Sequence, residues 1–191
     1  MRRTASGASL TPNEFNATLM LRLLFPRLTP HRGEPRGSAL FAALVAAARR
    51  PHWYRAGGVA DTVDGRFAVL ATLAALTTVR LERGGAEGEA AAVALAERFV
   101  EAMDAEHREM GLGDPKLGRT VRKLMGALAQ RVGLWRATVG GGDEWRAATA
   151  DSLGLANADE AALTHAEAGL RQFWSDLDVA PDEAVASGAL T

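Results

Sequence analysis

The 191-residue chain contains no cysteine. That excludes a disulfide scaffold, a thiolate zinc site, an iron–sulfur cluster and a cysteine nucleophile. Lysine is almost missing too, since 20 of the 22 basic residues are Arg, and with 39 Ala this is the bias of a GC-rich genome rather than of a function. Four His leave little material for a histidine-rich metal centre. The 22 basic residues face 23 acidic ones, whereas a generic nucleic-acid binder carries strong positive charge. Long hydrophobic runs are lacking as well. The longest charge-free apolar stretch, Phe67 to Val79, has 13 residues, short of the roughly 18–20 that a bilayer demands. It reads as a helix buried in its own protein. The apolar run Leu19 to Phe25 is broken by Arg22 and lacks a small-residue cleavage site, so it does not read as a secretory signal. Residues 1–13, with Arg, Ser and Thr and no acid, share the composition of a transit peptide.

What is present is helical. Ala and Leu dominate, period-2 alternation is absent, and Gly clusters fall where helices should stop. A length of 191 residues suits one domain with its own core. The expectation is an all-α fold, a single compact helical domain of six or seven helices. Residues 1–37 read as a basic N-terminal helix and a Pro-rich loop, 38–178 as the helical domain, and 179–191 as a flexible tail. The first helix starts at the capping box Thr11-Pro12-Asn13-Glu14 and runs to about Phe25. Ser38 caps a second, ending near Arg50, and a third runs from Thr62 to Arg83 before Gly84-Gly85. A fourth, from about Glu89 to Met110, has the stripe Val93, Ala96, Val100, Met103, His107 and Met110 as its expected apolar face. Asp114 caps a fifth, with Leu117, Val121, Leu124, Leu128, Val132 and Trp135 on one side. Asp143 and Asn157 are the expected caps of two final helices.

Charge is uneven. Residues 1–36 carry a net +4, residues 37–142 a net +3, and residues 143–191 a net −8. The simplest reading of the acidic end is a solvated surface; a basic start suits a membrane surface or an RNA-rich partner.

Two polar knots stand out. The first runs from Trp53 to Phe67: two adjacent aromatics, a loop of small residues, then Asp61, Asp64 and Arg66 at a helix start. Asp61 or Thr62 suits the cap, and Asp64 suits the first turn. Arg66 does not, because the helix dipole disfavours a cation there, so it needs an acid partner. An Arg66 that reaches the other knot would account for both. That second knot runs from Met103 to Asp114. Asp104 and His107 have the carboxylate-x-x-His spacing of di-iron bundles, but no second copy accompanies them, and His107 sits on the apolar stripe. Gly111-Leu112-Gly113 before a helix start faintly resembles an anion site, yet Asp114 repels phosphate and no strand precedes it. No nucleophile elbow is present. Catalytic residues, a metal site and a cofactor are therefore not expected, nor are DNA or a small-molecule substrate.

The segment Trp53-Tyr54 through Val59-Ala60-Asp61-Thr62-x-Asp64-Gly65-Arg66-Phe67 resembles the first signature of the ubiquinol–cytochrome c chaperone family. Met103-Asp104-x-x-x-Arg108-Glu109-Met110-Gly111-x-Gly113-Asp114, with the basic helix after it, resembles the second, in the same order and separation. The similarity covers residues 38–137. His107, Gln130 and Trp135 depart from the pattern, which more usually has an apolar residue, Gly and Tyr at those places. The resemblance implies an all-α, non-enzymatic assembly factor. In mitochondria, members of this family receive newly made cytochrome b, with a small partner subunit and at the ribosomal tunnel exit, before the bc1 complex is built. The implied location is the cytoplasm at the periphery of the inner membrane, or the mitochondrial matrix in a eukaryote. The client-binding residues implied are Trp53, Tyr54, Asp61, Asp64, Arg66, Phe67, Asp104, Arg108, Glu109, Met110 and Asp114. Several of these suit a buried ion-pair network equally well. Met103 and Met110 suit the lining of an apolar groove. Arg119, Arg122 and Lys123 form a basic patch able to approach lipid headgroups or ribosomal RNA. Two other readings stand beside this one: a helical adaptor with an unrelated client, and a helical enzyme using Asp104, His107 and Glu109 around a metal.

Overall fold

The computed structural model describes the backbone of residues 36–109, 114–141 and 144–190, and the side chains of 36–102, 122–141 and 144–190. The helix expected over 11–25, Met110 and the side chains of Met103, Asp104, His107, Arg108, Glu109, Asp114 and Arg119 lie outside these residues. The described residues hold eight α-helices and no strand: α1 Ser38–Ala48, α2 His52–Arg55, α3 Val63–Leu81, α4 Gly85–Glu109, α5 Asp114–Val139, α6 Trp145–Leu153, α7 Glu160–Val179 and α8 Asp182–Ser187. Six of them have nine residues or more, and together they form one compact all-α arrangement.

The charge-free stretch expected to be buried is the centre of the molecule. Residues 69–77 of α3 are buried without interruption, so this helix has no solvent face over more than two turns. It touches α1, α4, α5, α6, α7 and α8. Its start is set by Thr62, whose Oγ1 accepts from the Gly65 N–H at 3.2 Å. Its threonines do not expose polar atoms to the core: Thr72, Thr77 and Thr78 donate to the carbonyls of Ala68, Leu73 and Ala74, one turn back.

At its far end α3 passes into a 3-10 turn, Glu82–Gly84, and Gly85 reverses the chain at φ +64°. Helix α4 therefore begins four residues earlier than expected and runs back along α3. The expected apolar stripe on α4 is corrected here: Val93 is 59 % exposed, whereas Leu95 and Phe99 are buried. Two stripes overlap on this helix, and the larger side chains take the core because they remove more apolar area from water. The Phe99 ring meets Phe41 of α1 edge-on at 6.1 Å and Phe67 of α3 at 6.0 Å. On α5 the expected side is the buried one where it is described, through Leu124, Leu128 and Trp135.

The chain end also differs from expectation. Residues 182–187 form α8, and Val185 is fully buried. The reason is Arg80, buried in the last turn of α3. Its Nε donates to the carbonyl of Leu177 at 2.9 Å and its Nη2 to that of Ala180 at 2.8 Å, and the same Nη2 pairs with Asp182 at 2.7 Å. One guanidinium thus takes up carbonyls left open at the end of α7 and the carboxylate that starts α8. The cap of α7 is Asp159 rather than Asn157, its carboxylate accepting from the Ala162 N–H at 2.7 Å.

Candidate functional site

Helix α1 ends at Ala48 with carbonyls that have no partner within the helix. The adjacent aromatics supply it. Trp53 Nε1 donates to the Ala47 carbonyl at 3.1 Å, and Tyr54 Oη donates to the Ala48 carbonyl at 2.5 Å. The Trp53 indole is buried, and Gly169 of α7 lies against it so closely that a Cβ there would stand 3.0 Å from the ring. Trp53 is therefore a structural anchor inside the protein and presents no surface to a partner. Phe67 is half-buried on Phe99 and belongs with the core in the same way.

The chain then turns through Gly57 and Gly58, with the Val59 N–H donating to the Trp53 carbonyl at 3.1 Å and the Val59 side chain buried. This delivers Asp61 to the start of α3, where its carboxylate accepts from Arg66 Nε at 2.7 Å. The expected acid partner of Arg66 is present. The hydrogen bond from Arg66 holds the Asp61 carboxyl below its ordinary value, and Asp61 raises the Arg66 guanidinium in return. The Arg66 guanidinium also sits 5.8 Å from the centre of the Tyr54 ring. Asp64 is exposed in the first turn of α3.

Together these residues border an open cleft of about 320 Å³, lined by Arg49, Pro51, Tyr54, Arg55, Asp61 and Arg66. Arg49 is a member that the sequence did not single out. It stands at the end of α1, and burial followed by the nearness of Arg66 lowers its pKa. The cleft thus combines three guanidiniums, one carboxylate and an aromatic face, an arrangement able to hydrogen-bond carboxylates and carbonyl oxygens. Tyr54 takes no part in proton transfer near neutral pH, since burial pushes its phenol up to about 12, with Arg66 pulling the other way.

That value is directly measurable, because Tyr54 is the chain's one tyrosine. The tyrosinate absorbance of the folded chain is expected to rise with a midpoint near pH 12, against about 10 when unfolded. The phenol favours its neutral form in the fold, so its share of the stability is complete below about pH 10 and is lost as the pH rises through the folded value. A midpoint near 10 in the native chain contradicts the burial of the phenol.

The second knot is reached through α4. Because α4 runs back along α3, with Phe99 beside Phe67, its last turns carry the backbone of Asp104, Arg108 and Glu109 to the same end of the molecule as Asp61 and Arg66. The expected link from Arg66 to that knot falls on side chains outside the described residues. On α5, Arg122 and Lys123 of the basic patch are both exposed. Arg131, next to the departure at Gln130, is half-buried. It donates through Nε and Nη2 to the Ser152 carbonyl at 3.2 and 2.9 Å, tying α5 to the end of α6.

The model of the family described as "Ubiquinol-cytochrome C chaperone" matches residues 55–190. The chain belongs to the ubiquinol-cytochrome C chaperone family. The family match takes in the cleft from Arg55 onward and every helix from α3 to α8. Among solved structures, the chain is similar to the crystal structure of the Cbp3 homolog from Brucella abortus, with a TM-score of 0.64 and 23% sequence identity over 94% of this chain and 93% of that one. A likeness at that identity is one of fold. No curated protein matches the chain closely enough to count as a relative. Among the described residues, no helix is long and apolar enough to cross a membrane.

Proposed function

We propose that this chain is an assembly chaperone that receives newly made cytochrome b on its way into the ubiquinol–cytochrome c reductase complex. The observation that carries the reading is the family match over residues 55–190, and the cleft gives it a place to act. Trp53 and Tyr54 hold the cleft's frame, Asp61 and Arg66 form its edge together with Arg49 and Arg55, and Asp64 is exposed beside them on the first turn of α3. Asp104, Arg108, Glu109, Met110 and Asp114 belong to the same client-binding set. The chain works by binding and release and carries out no covalent step. Arg119, Arg122 and Lys123 approach the inner-membrane surface or ribosomal RNA where the client emerges, a weak and salt-sensitive attraction with so few charges.

The test is a mild-detergent pull-down of the tagged chain from its own host, probed for cytochrome b. The wild-type chain is expected to retain cytochrome b. Asp61→Ala and Arg66→Ala, at unchanged helicity, are expected to lose most of it. Retention of some other protein with no cytochrome b overturns the client assignment, and undiminished retention by both variants overturns the role of the cleft.

A further inference from the structure

Two of the four histidines stand 113 residues apart in the sequence and meet in the fold. His52 opens α2 and His165 lies in the second turn of α7, with His52 Nδ1 and His165 Nε2 3.3 Å apart and the ring centroids 5.5 Å apart. A hydrogen bond at this place needs an N–H on one nitrogen and a lone pair on the other. Two imidazolium rings supply N–H groups on both sides and a repulsion between like charges as well.

The pair occupies a structurally sensitive point. His52 immediately precedes Trp53 and Tyr54, the two residues that close the end of α1. One turn beyond His165, Gly169 lies under the Trp53 ring and beside His52 Cε1. The segment carrying the aromatics is thus seated on α7 by His52 and Trp53 together. We propose that the His52–His165 pair is a proton-sensitive latch, which fastens the Trp53–Tyr54 segment to α7 at neutral pH and loosens it on acidification. The proposal rests on the fold alone and stands whichever client the cleft takes.

Among the described residues, Arg50 at the end of α1 is the charged group acting on His52 besides His165, and Asp176 of α7 lies in the same groove as His52. With His52 they line an open groove of about 300 Å³ between α1 and α7. Arg50 opposes a proton on His52. Asp176 accepts from Gln172 at 2.7 Å, one of its own helix neighbours. Burial, then His165, then Arg50 lower the His52 pKa from the ordinary 6.5. The folded state therefore binds fewer protons than the unfolded one just below that value. The latch is complete above about pH 6.5 and weakens as the pH falls towards the folded value.

Amide hydrogen exchange on the full chain tests this, read as protection factors at pH 7.5 and 5.5. The informative amides are Gly57, which donates to the His52 carbonyl, and Val59, which donates to that of Trp53. In the wild type their protection is expected to fall about tenfold for each unit by which the pair's protonation is disfavoured, while α3 keeps its protection. His165→Gln is expected to start lower at pH 7.5 and to show little further fall. Equal protection at both pH values in the wild type, or the same fall in His165→Gln, overturns the latch. Ring proton titration of the wild type gives a second reading that needs no variant. His52 titrating below its ordinary value supports the pair. A His52 titration at its ordinary value overturns it.

Discussion

Trp135→Ala is expected to destabilise the chain by about 3–5 kcal/mol, which at about 2–4 °C per kcal/mol takes on the order of 10 °C off the Tm. Trp135 has no exposed surface and packs its ring 5.2 Å from that of Trp145. It is also the first donor in a buried chain of hydrogen bonds. Trp135 Nε1 donates to Ser152 Oγ at 3.1 Å, and Thr72 Oγ1 lies 2.7 Å from the same oxygen and 2.7 Å from the Ala68 carbonyl. Each hydroxyl has one proton. With Thr72 donating to Ala68, Ser152 must donate to Thr72, and Ser152 Oγ is left to accept from the indole. The direction of the whole chain follows, and it joins α5, α6 and α3 across the core. Truncation to Ala empties the ring's volume and strands the Ser152 oxygen. Trp135→Phe keeps most of the volume and loses the N–H with part of the ring, so it is expected to cost less, about 1–3 kcal/mol. Equal losses for the two variants in thermal unfolding contradict this division between packing and hydrogen bonding.

The second large effect runs against helix propensity. Gly65 lies in the first turn of α3, where Ala is ordinarily worth about 1 kcal/mol more than Gly. A Cβ at Gly65, however, would stand 2.0 Å from the Ala60 carbonyl oxygen and 3.1 Å from Val59. Backbone cannot move aside as a flexible side chain does, so Gly65→Ala is expected to destabilise by about 1–3 kcal/mol or more. The displaced segment carries Asp61, so the Asp61–Arg66 pair is expected to open with it. Gly126, in the middle of α5, has nothing within 4 Å of such a Cβ. Gly126→Ala is expected to stabilise by up to about 1 kcal/mol. Opposite signs for the two substitutions in denaturant unfolding are the predicted result, and stabilisation by both contradicts the close approach at Ala60.

Much of the architecture could be read from the sequence where one physical signal dominated. The 13 charge-free residues from Phe67 leave no polar face, so α3 had to be central. Asp61 and Thr62 both read as caps, and Thr62 is the one that caps. Arg66 is out of place in a first turn, and its oddness called for an acid partner; the partner found is Asp61 of its own knot. Reading failed where two signals overlapped or where the partner lay far along the chain. On α4 the Val93 stripe and the Leu95–Phe99 stripe have the same period, and only Phe41 and Phe67 decide between them. The chain end looked frayed because the residue that holds it, Arg80, acts from 97 and more residues away, mainly on backbone carbonyls, which carry no sequence signature. Arg131, His52 and His165 were missed for the same reason. In the cleft, Arg49 was hidden as one of two consecutive arginines at a helix end.

The central claim is that the chain acts in assembly of the ubiquinol–cytochrome c reductase complex through its cytochrome b subunit. The most direct measurement is the content of spectrally detectable cytochrome b and of assembled complex in membranes of a host strain lacking this chain. The account predicts that both fall severely, with transcript for cytochrome b unchanged, and that the wild-type chain restores them while Arg66→Ala does so poorly. Normal levels of cytochrome b and of the assembled complex in the deletion strain would contradict it.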